Sequence, residues 1–323
     1  MLTTTKRILP VLLLSLSALT AQAADPYPAR PVKLIVGFPP GGLTDIYARL
    51  LAAHLSKVYP HPVIVENKPG AATVLAAQAV ATAPPDGLTL CFCVTNVATN
   101  KFSYKTLPYR LEDLAPVAIG FKSTTVLITP SAAEYDTAAK LVDYAKKNPG
   151  KLSYSTTGSG GATHLVGELF NQVAGIQAVA IHYKGAAPAT AAVASGEVQF
   201  TFSAVATAQP FLQDKRIRAL GTASAERVPA LAGVPTMAEA GFRGVDTGVW
   251  YGVMAPAGTP RPIIDSLNRE TNAFFSSKAM KDRLAAGGEQ PVGDMTPEQM
   301  AAYIAKDTEA LRKIIEPLKL NFD

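Results

Sequence analysis

The sequence predicts an α/β protein of two lobes with a ligand cleft between them. Three observations predict it. Short β-branched runs alternate with amphipathic segments, and a Gly- or Pro-rich turn separates each pair. The same alternation restarts mid-chain, which implies a second unit of the same kind. The chain has 323 residues, more than one core of ordinary size accommodates.

The elements follow in order. Val32 to Val36 reads as a buried strand, broken by Pro39-Pro40-Gly41-Gly42. Ile46, Tyr47, Leu50, Leu51, Leu55 and Val58 then recur at helical spacing. Val63 to Glu66 is a second strand, followed by Asn67-Lys68-Pro69-Gly70 and an alanine-rich helix to about Thr82. Pro84-Pro85-Asp86-Gly87 turns the chain into a third strand, Leu88 to Val94. In the second unit, Leu141, Val142, Tyr144 and Ala145 mark a helix that stops at Asn148-Pro149-Gly150. Leu152 to Ser155 is a strand, and Leu165, Val166, Leu169, Phe170 and Val173 form the next helical stripe. Ala178 to His182, Val198 to Phe202 and Ile217 to Leu220 follow as strands with helices between. Trp250 to Ala255 is a later strand. Pro260 suits the first position of a helix, and Thr296-Pro297-Glu298-Gln299 is a capping-box start for a last helix to about Ile315. This alternation implies parallel pairing. The expected division is 1–23 as a signal peptide, 24–122 as the first part of lobe 1, 123–247 as lobe 2, and 248–323 as the return to lobe 1. The crossings are expected near Val117 to Ile128 and near Thr247 to Ala255.

The N-terminus carries an export signal. Lys6 and Arg7 precede an apolar stretch, Ile8 to Leu19, and Ala21-Gln22-Ala23 offers small residues for cleavage. The run is shorter than the roughly 20 apolar residues of a membrane span. The mature chain is therefore expected to be soluble, exported to the periplasm and monomeric. The formal charge of +5 falls to +3 once Lys6 and Arg7 are gone. Lysines and arginines are scattered, which argues against a nucleic-acid partner and suits a small anion. Cys91 and Cys93 lie two apart on a strand, near the upper limit for a bridge; buried thiols are the favoured reading and a strained disulfide the other. His54, His61, His164 and His182 form no ligand-spaced cluster with them, so no metal or cofactor is expected.

Two loops join a strand end to a helix start. The first is Phe38-Pro39-Pro40-Gly41-Gly42-Leu43-Thr44-Asp45. Glycines let a ligand approach the backbone, and the first helical N–H groups point outward with the positive end of the dipole. Asp45 is placed to reach back to the N–H of Gly42. On this loop alone, a capped turn and an anion site explain the residues equally well. The second is Thr157-Gly158-Ser159-Gly160-Gly161, followed by Ala162-Thr163-His164. It has no Gly-Lys-Ser/Thr of a phosphate-binding loop, no third glycine of a dinucleotide fingerprint, and no Gly-x-Ser-x-Gly frame around Ser159. His164 falls early in the helix, where a structural role is the commoner one. Two anion-ready helix starts in two lobes define a cleft for a small carboxylate.

With these residues assembled, the chain resembles the Bug-type periplasmic receptors of the tripartite tricarboxylate transporter family. The resemblance begins at Tyr27-Pro28-Ala29-Arg30-Pro31-Val32 and runs through Phe38-Pro39-Pro40-Gly41-Gly42 with Asp45, and Glu66-Asn67-Lys68-Pro69-Gly70. It continues at Leu107-Pro108-Tyr109, Asn148-Pro149-Gly150-Lys151-Leu152, His164-Leu165 with Glu168-Leu169-Phe170, and Tyr183-Lys184-Gly185. Val234-Pro235-Thr236, Glu239-Ala240-Gly241 and Ala255-Pro256-Ala257-Gly258-Thr259-Pro260 complete it. The resemblance implies a type II-like periplasmic binding fold, a carboxylate held by the two glycine loops, and delivery to membrane permease subunits. A sensing partner of a membrane sensor is the alternative role. From a different class, an exported hydrolase would use Ser159 or a cysteine with His164. The chain departs from the family where Gly161 and Ala162 replace hydroxyl residues, with Thr163 next in line. It departs again where Gln199 and Ser203 stand at the usual aspartate positions, which argues against an amino-acid ligand. Thr95 and Asn96, at the third strand's exit, are suited to a ligand's far end.

Overall fold

A computed structural model describes residues 27–245 and 248–318. The signal-peptide segment, residues 1–23, and Thr247 of the second crossing lie outside the described residues.

The chain opens with β1 (Val32–Val36), α1 (Leu43–Val58), β2 (Val63–Asn67), α2 (Val74–Ala81) and β3 (Thr89–Val94). A one-turn helix, α3 (Asn96–Thr99), leads on to β4 (Leu114–Ser123). The chain then continues as β5 (Thr125–Pro130), α4 (Ala138–Lys147), β6 (Ser153–Thr156), α5 (Ala162–Ala174) and β7 (Val179–His182). After these come α6 (Ala186–Ala194), β8 (Phe200–Ala204), α7 (Val205–Gln213) and β9 (Ile217–Ala223). It finishes with β10 (Val249–Pro256), α8 (Arg261–Ser276), α9 (Lys278–Gly287), β11 (Glu289–Pro291) and α10 (Pro297–Ile315).

The strands form two sheets, ordered β11-β4-β10-β3-β1-β2 and β7-β6-β8-β5-β9. Within β2-β1-β3 and β7-β6-β8 all pairing is parallel, as strand–helix–strand crossovers require. The expectation of purely parallel sheets needs correcting. Strand β10 runs antiparallel to β3 and β4, and β5 runs antiparallel to β8 and β9. The reason is topological: β5 and β10 follow the two passages of the chain between sheets, and each inserts beside the third parallel strand. Both sheets therefore share one plan, three parallel strands with the first in the middle, then an antiparallel newcomer.

The outward passage is short. Strand β4 ends at Ser123 in the first sheet, and β5 begins at Thr125 in the second. Each sheet has its own core. In the first, Tyr47, Leu51 and Leu55 of α1 recur every four residues and bury one helical face. Phe121 stacks on Tyr251 there with ring centroids 4.5 Å apart. In the second, Phe170 meets Phe200, Phe202 and Phe242 edge-on. Helix α10 has the expected capping box, the Thr296 hydroxyl accepting from Gln299 N–H and the Gln299 side chain from Thr296 N–H. Pro260 is one position off expectation: it is the N-cap of α8, which begins at Arg261. Strand β8 lies two residues further along than its apolar run suggests, because Gln199 turns inward to bridge strands, its Oε1 accepting from Ser153 N–H at 2.8 Å.

Candidate functional site

In a sheet whose first strand lies between the second and third, the connections leave in opposite directions from the first and third strands. A crevice opens at their carboxyl ends. Here those ends are the exits of β1 and β3 in one lobe and of β6 and β8 in the other. The four exits face one cleft enclosing about 930 Å³ of empty space, mouth included. Phe38, Pro40, Gly42, Leu43 and Thr44 line it from the first loop, Asn96 from the third-strand exit, Thr157 and Thr163 from the second loop, and Ser203 from β8.

The first loop is held by a network behind it. Gly41 adopts φ +89°, open to glycine and strained for other residues. Its N–H donates to Asp45 Oδ2 at 3.0 Å. The expected partner was Gly42, the N-cap residue; the bond falls one residue earlier, which leaves Gly42 in the cleft wall. Asp45 also accepts from Arg49 Nε at 3.0 Å and from Asn67 Nδ2 at 2.9 Å. Asn67 donates in turn to the Phe38 carbonyl. Burial alone would raise the Asp45 pKa, but the donors from Arg49, Gly41 and Asn67 outweigh it and hold the carboxyl below its ordinary range. Asp45 is thus an ionised brace outside the cleft wall, while Gly42, Leu43 and Thr44 at the start of α1 line the cleft.

The second loop is braced in the same manner. Thr157 N–H donates to Thr163 Oγ1 at 2.8 Å, Gly158 N–H to Thr156 Oγ1 at 3.2 Å, and Gly160 N–H to His164 Nδ1 at 3.1 Å. His164 is buried, and its Nε2 lies 3.8 Å from Glu168. Burial, then the neighbouring His182, pushes its pKa down to about 4, so the ring is neutral and its Nδ1 can accept. Gly158, Ser159, Gly160, Gly161 and His164 lie outside the cleft wall, while Ala162 and Thr163 at the start of α5 line it. Thr95 also lies behind: its Oγ1 accepts from Trp250 N–H at 3.0 Å and ties the β3 exit to β10. Its neighbour Asn96 reaches the other lobe and donates to the Gly160 carbonyl at 3.0 Å.

Several cleft residues escaped the sequence reading. The loop Lys184–Gly185 and the first residues of α6 form a third strand-to-helix junction in the wall. Its signal was present in the Tyr183-Lys184-Gly185 motif. Lys184 is the one charged residue among the described residues that line the cleft. Ser123 and Thr125 flank the outward passage, and Tyr251 comes from β10; no glycine marks them. Ser203 faces the cleft and shares a 2.9 Å hydrogen bond with Thr190. No Asp or Glu is among the described lining residues.

Two lobes, each aiming helix N-termini at a shared cleft, define a solute-binding receptor. The chain belongs to the tripartite tricarboxylate transporter family receptors, whose model matches residues 47–320. It is 36% identical over 290 residues to Protein BugT of Bordetella pertussis (strain Tohama I), covering 89% of each chain. The structure is similar to that of R. palustris Rpa4515 with adipate, with TM-score 0.87 and 33% identity, over 92% of this chain and 100% of that one. It is also similar to periplasmic binding protein BugD, with TM-score 0.85 and 29% identity, again over 92% and 100%. Among the described residues, no helix is long and apolar enough to cross a membrane.

Proposed function

We propose that this protein is an extracytoplasmic receptor that captures a small carboxylate by closing two lobes and delivers it to membrane permease subunits. The observation that carries this reading is the cleft wall itself. The first turns of α1 and α5 meet there from opposite lobes, Lys184 adds a positive charge, and no described wall residue is acidic. Most of the remaining wall is apolar, including Phe38, Leu43, Val94, Phe202 and Val249, so the ligand has an apolar body. An acidic amino acid fits less well, because its ammonium would find no carboxylate. The adipate held by the R. palustris relative agrees with this class of ligand.

In the same reading, residues 24–122 and 248–323 form one lobe and 123–247 the other, as the sheet membership of their strands supports. The first 23 residues are removed on export to the periplasm, and the receptor acts as a monomer. Capture without chemistry is favoured over hydrolysis, since His164 receives the Gly160 N–H and its other nitrogen faces Glu168. A carboxylate panel in a thermal-shift assay tests the proposal. A true ligand at 100 times its Kd stabilises the fold by about 2.7 kcal/mol. If amides or esters shift the melting temperature as much as the free acids do, the carboxylate reading is wrong. Sustained product release from trial esters would favour the hydrolase.

A further inference from the structure

The cleft floor, where the chain passes from one lobe to the other, holds hydroxyl groups that the protein does not satisfy. Ser123 closes β4, and Thr125 opens β5; they are 2% and 5% exposed. Thr125 Oγ1 has no hydrogen-bond partner, and Ser123 Oγ has none at normal hydrogen-bond distance, only the Tyr251 hydroxyl close by. Several other hydroxyls of the same wall are occupied. Thr201 Oγ1 donates to the Ser155 carbonyl at 2.6 Å, Thr190 pairs with Ser203, and Thr157 pairs with Thr163. Buried hydroxyls are normally paired, so two unpaired ones in a ligand cleft need an explanation.

We infer that Ser123 and Thr125 form a subsite for an uncharged oxygen, a hydroxyl or carbonyl, at the end of the ligand remote from its carboxylate. This rests on the carboxylate-receptor reading above. The charge distribution selects the class. Lys184, the only charged group in the described wall, belongs to the α6 junction and not to the β4–β5 passage. A second carboxylate at the floor would meet hydroxyls and, among the described wall residues there, no cation. An ammonium would find no carboxylate in the wall. A ligand carbonyl accepts a hydrogen bond from either hydroxyl, and a ligand hydroxyl accepts from one and donates to the other, without a desolvated charge.

Calorimetry on the full mature chain tests this with a ladder of straight-chain acids. At each length, the plain acid, its ω-hydroxy and ω-oxo forms and the α,ω-diacid are compared. At one length a neutral-ended acid should bind tightest. Ser123→Ala and Thr125→Val should each cut its preference over the plain acid by about threefold to tenfold. Circular dichroism confirms that each variant folds. A diacid that binds more tightly than both neutral-ended acids overturns the inference. So does a preference that survives in the double variant, or a plain acid that binds with no preference at any length. If no acid binds the wild type, the carboxylate reading itself falls, and the subsite with it.

Discussion

Asn96 reaches across the cleft and donates from Nδ2 to the Gly160 carbonyl, 3.0 Å away, so the exit of β3 in one lobe is bonded to the glycine loop of the other. This bond can exist only with the lobes together. Asn96→Ala removes it and shifts the open–closed balance toward open. Affinity should fall about threefold to tenfold, the usual worth of one hydrogen bond, with little change in melting temperature of the unliganded protein. Calorimetry paired with small-angle scattering reads both effects; unchanged affinity would mean that the bond contributes nothing to closure.

The two glycine loops should respond differently to valine. Gly42 has φ −82° and open space where a Cβ would project, so Gly42→Val folds normally but intrudes on the wall. Binding should weaken by at least about tenfold through lost room and lost backbone contact. Gly160 has φ +72°, which a β-branched residue adopts only under strain. Gly160→Val should cost about 1–3 kcal/mol of stability as well as affinity. Melting curves for the two variants separate the effects.

Glu289 gives the stability a pH dependence. It is 2% exposed, and its Oε2 accepts from the Tyr47 hydroxyl at 3.4 Å. Burial raises its pKa to about 7, against an ordinary value of 4.5. The folded state therefore holds a proton that the unfolded state releases, and stability falls as pH rises through that window. Glu289→Gln removes the penalty. The variant should be more stable than wild type at pH 8 by up to about 3 kcal/mol, with the gap closing below pH 4.5. Equal melting temperatures at the higher pH would show that Glu289 is solvated or paired in solution.

Cys91 and Cys93 are both buried and unpaired with each other in a disulfide, in the core behind β3. Burial pushes the Cys93 thiol up, which suppresses the reactive thiolate. Neither should react with an alkylating reagent in the native state. Cys91→Ala with Cys93→Ala should keep ligand affinity and cost roughly 1 kcal/mol each in stability. Rapid native labelling would contradict this placement.

What the sequence made legible has a physical pattern. The glycine loops stood out because a positive φ and a close backbone approach demand glycine, and glycine is visible in a sequence. Their braces were half visible: Asp45 could be placed near the loop, but its bond to Gly41 rather than Gly42 depends on a local twist. Ser123, Thr125 and Tyr251 were not legible. They enter the cleft through strand register between distant segments, and nothing local to them differs from an ordinary strand. The antiparallel insertion of β5 and β10 was hidden for the same reason. Strand β11, three residues long, is too short to show any periodicity.

Lys184 stands exposed in the cleft wall as its one described charge, and this bears on the kinetics of capture. A cation with no acid among the described wall residues keeps a loose cloud of counterions, and an arriving monoanion displaces them. Once the lobes close, the anion and the lysine offset each other, and mobile ions have little left to screen. Ionic strength should therefore slow association while leaving dissociation nearly constant. Stopped-flow traces at low and high salt would show it. Lys184→Gln should flatten the salt dependence of the on-rate, whichever acid is offered.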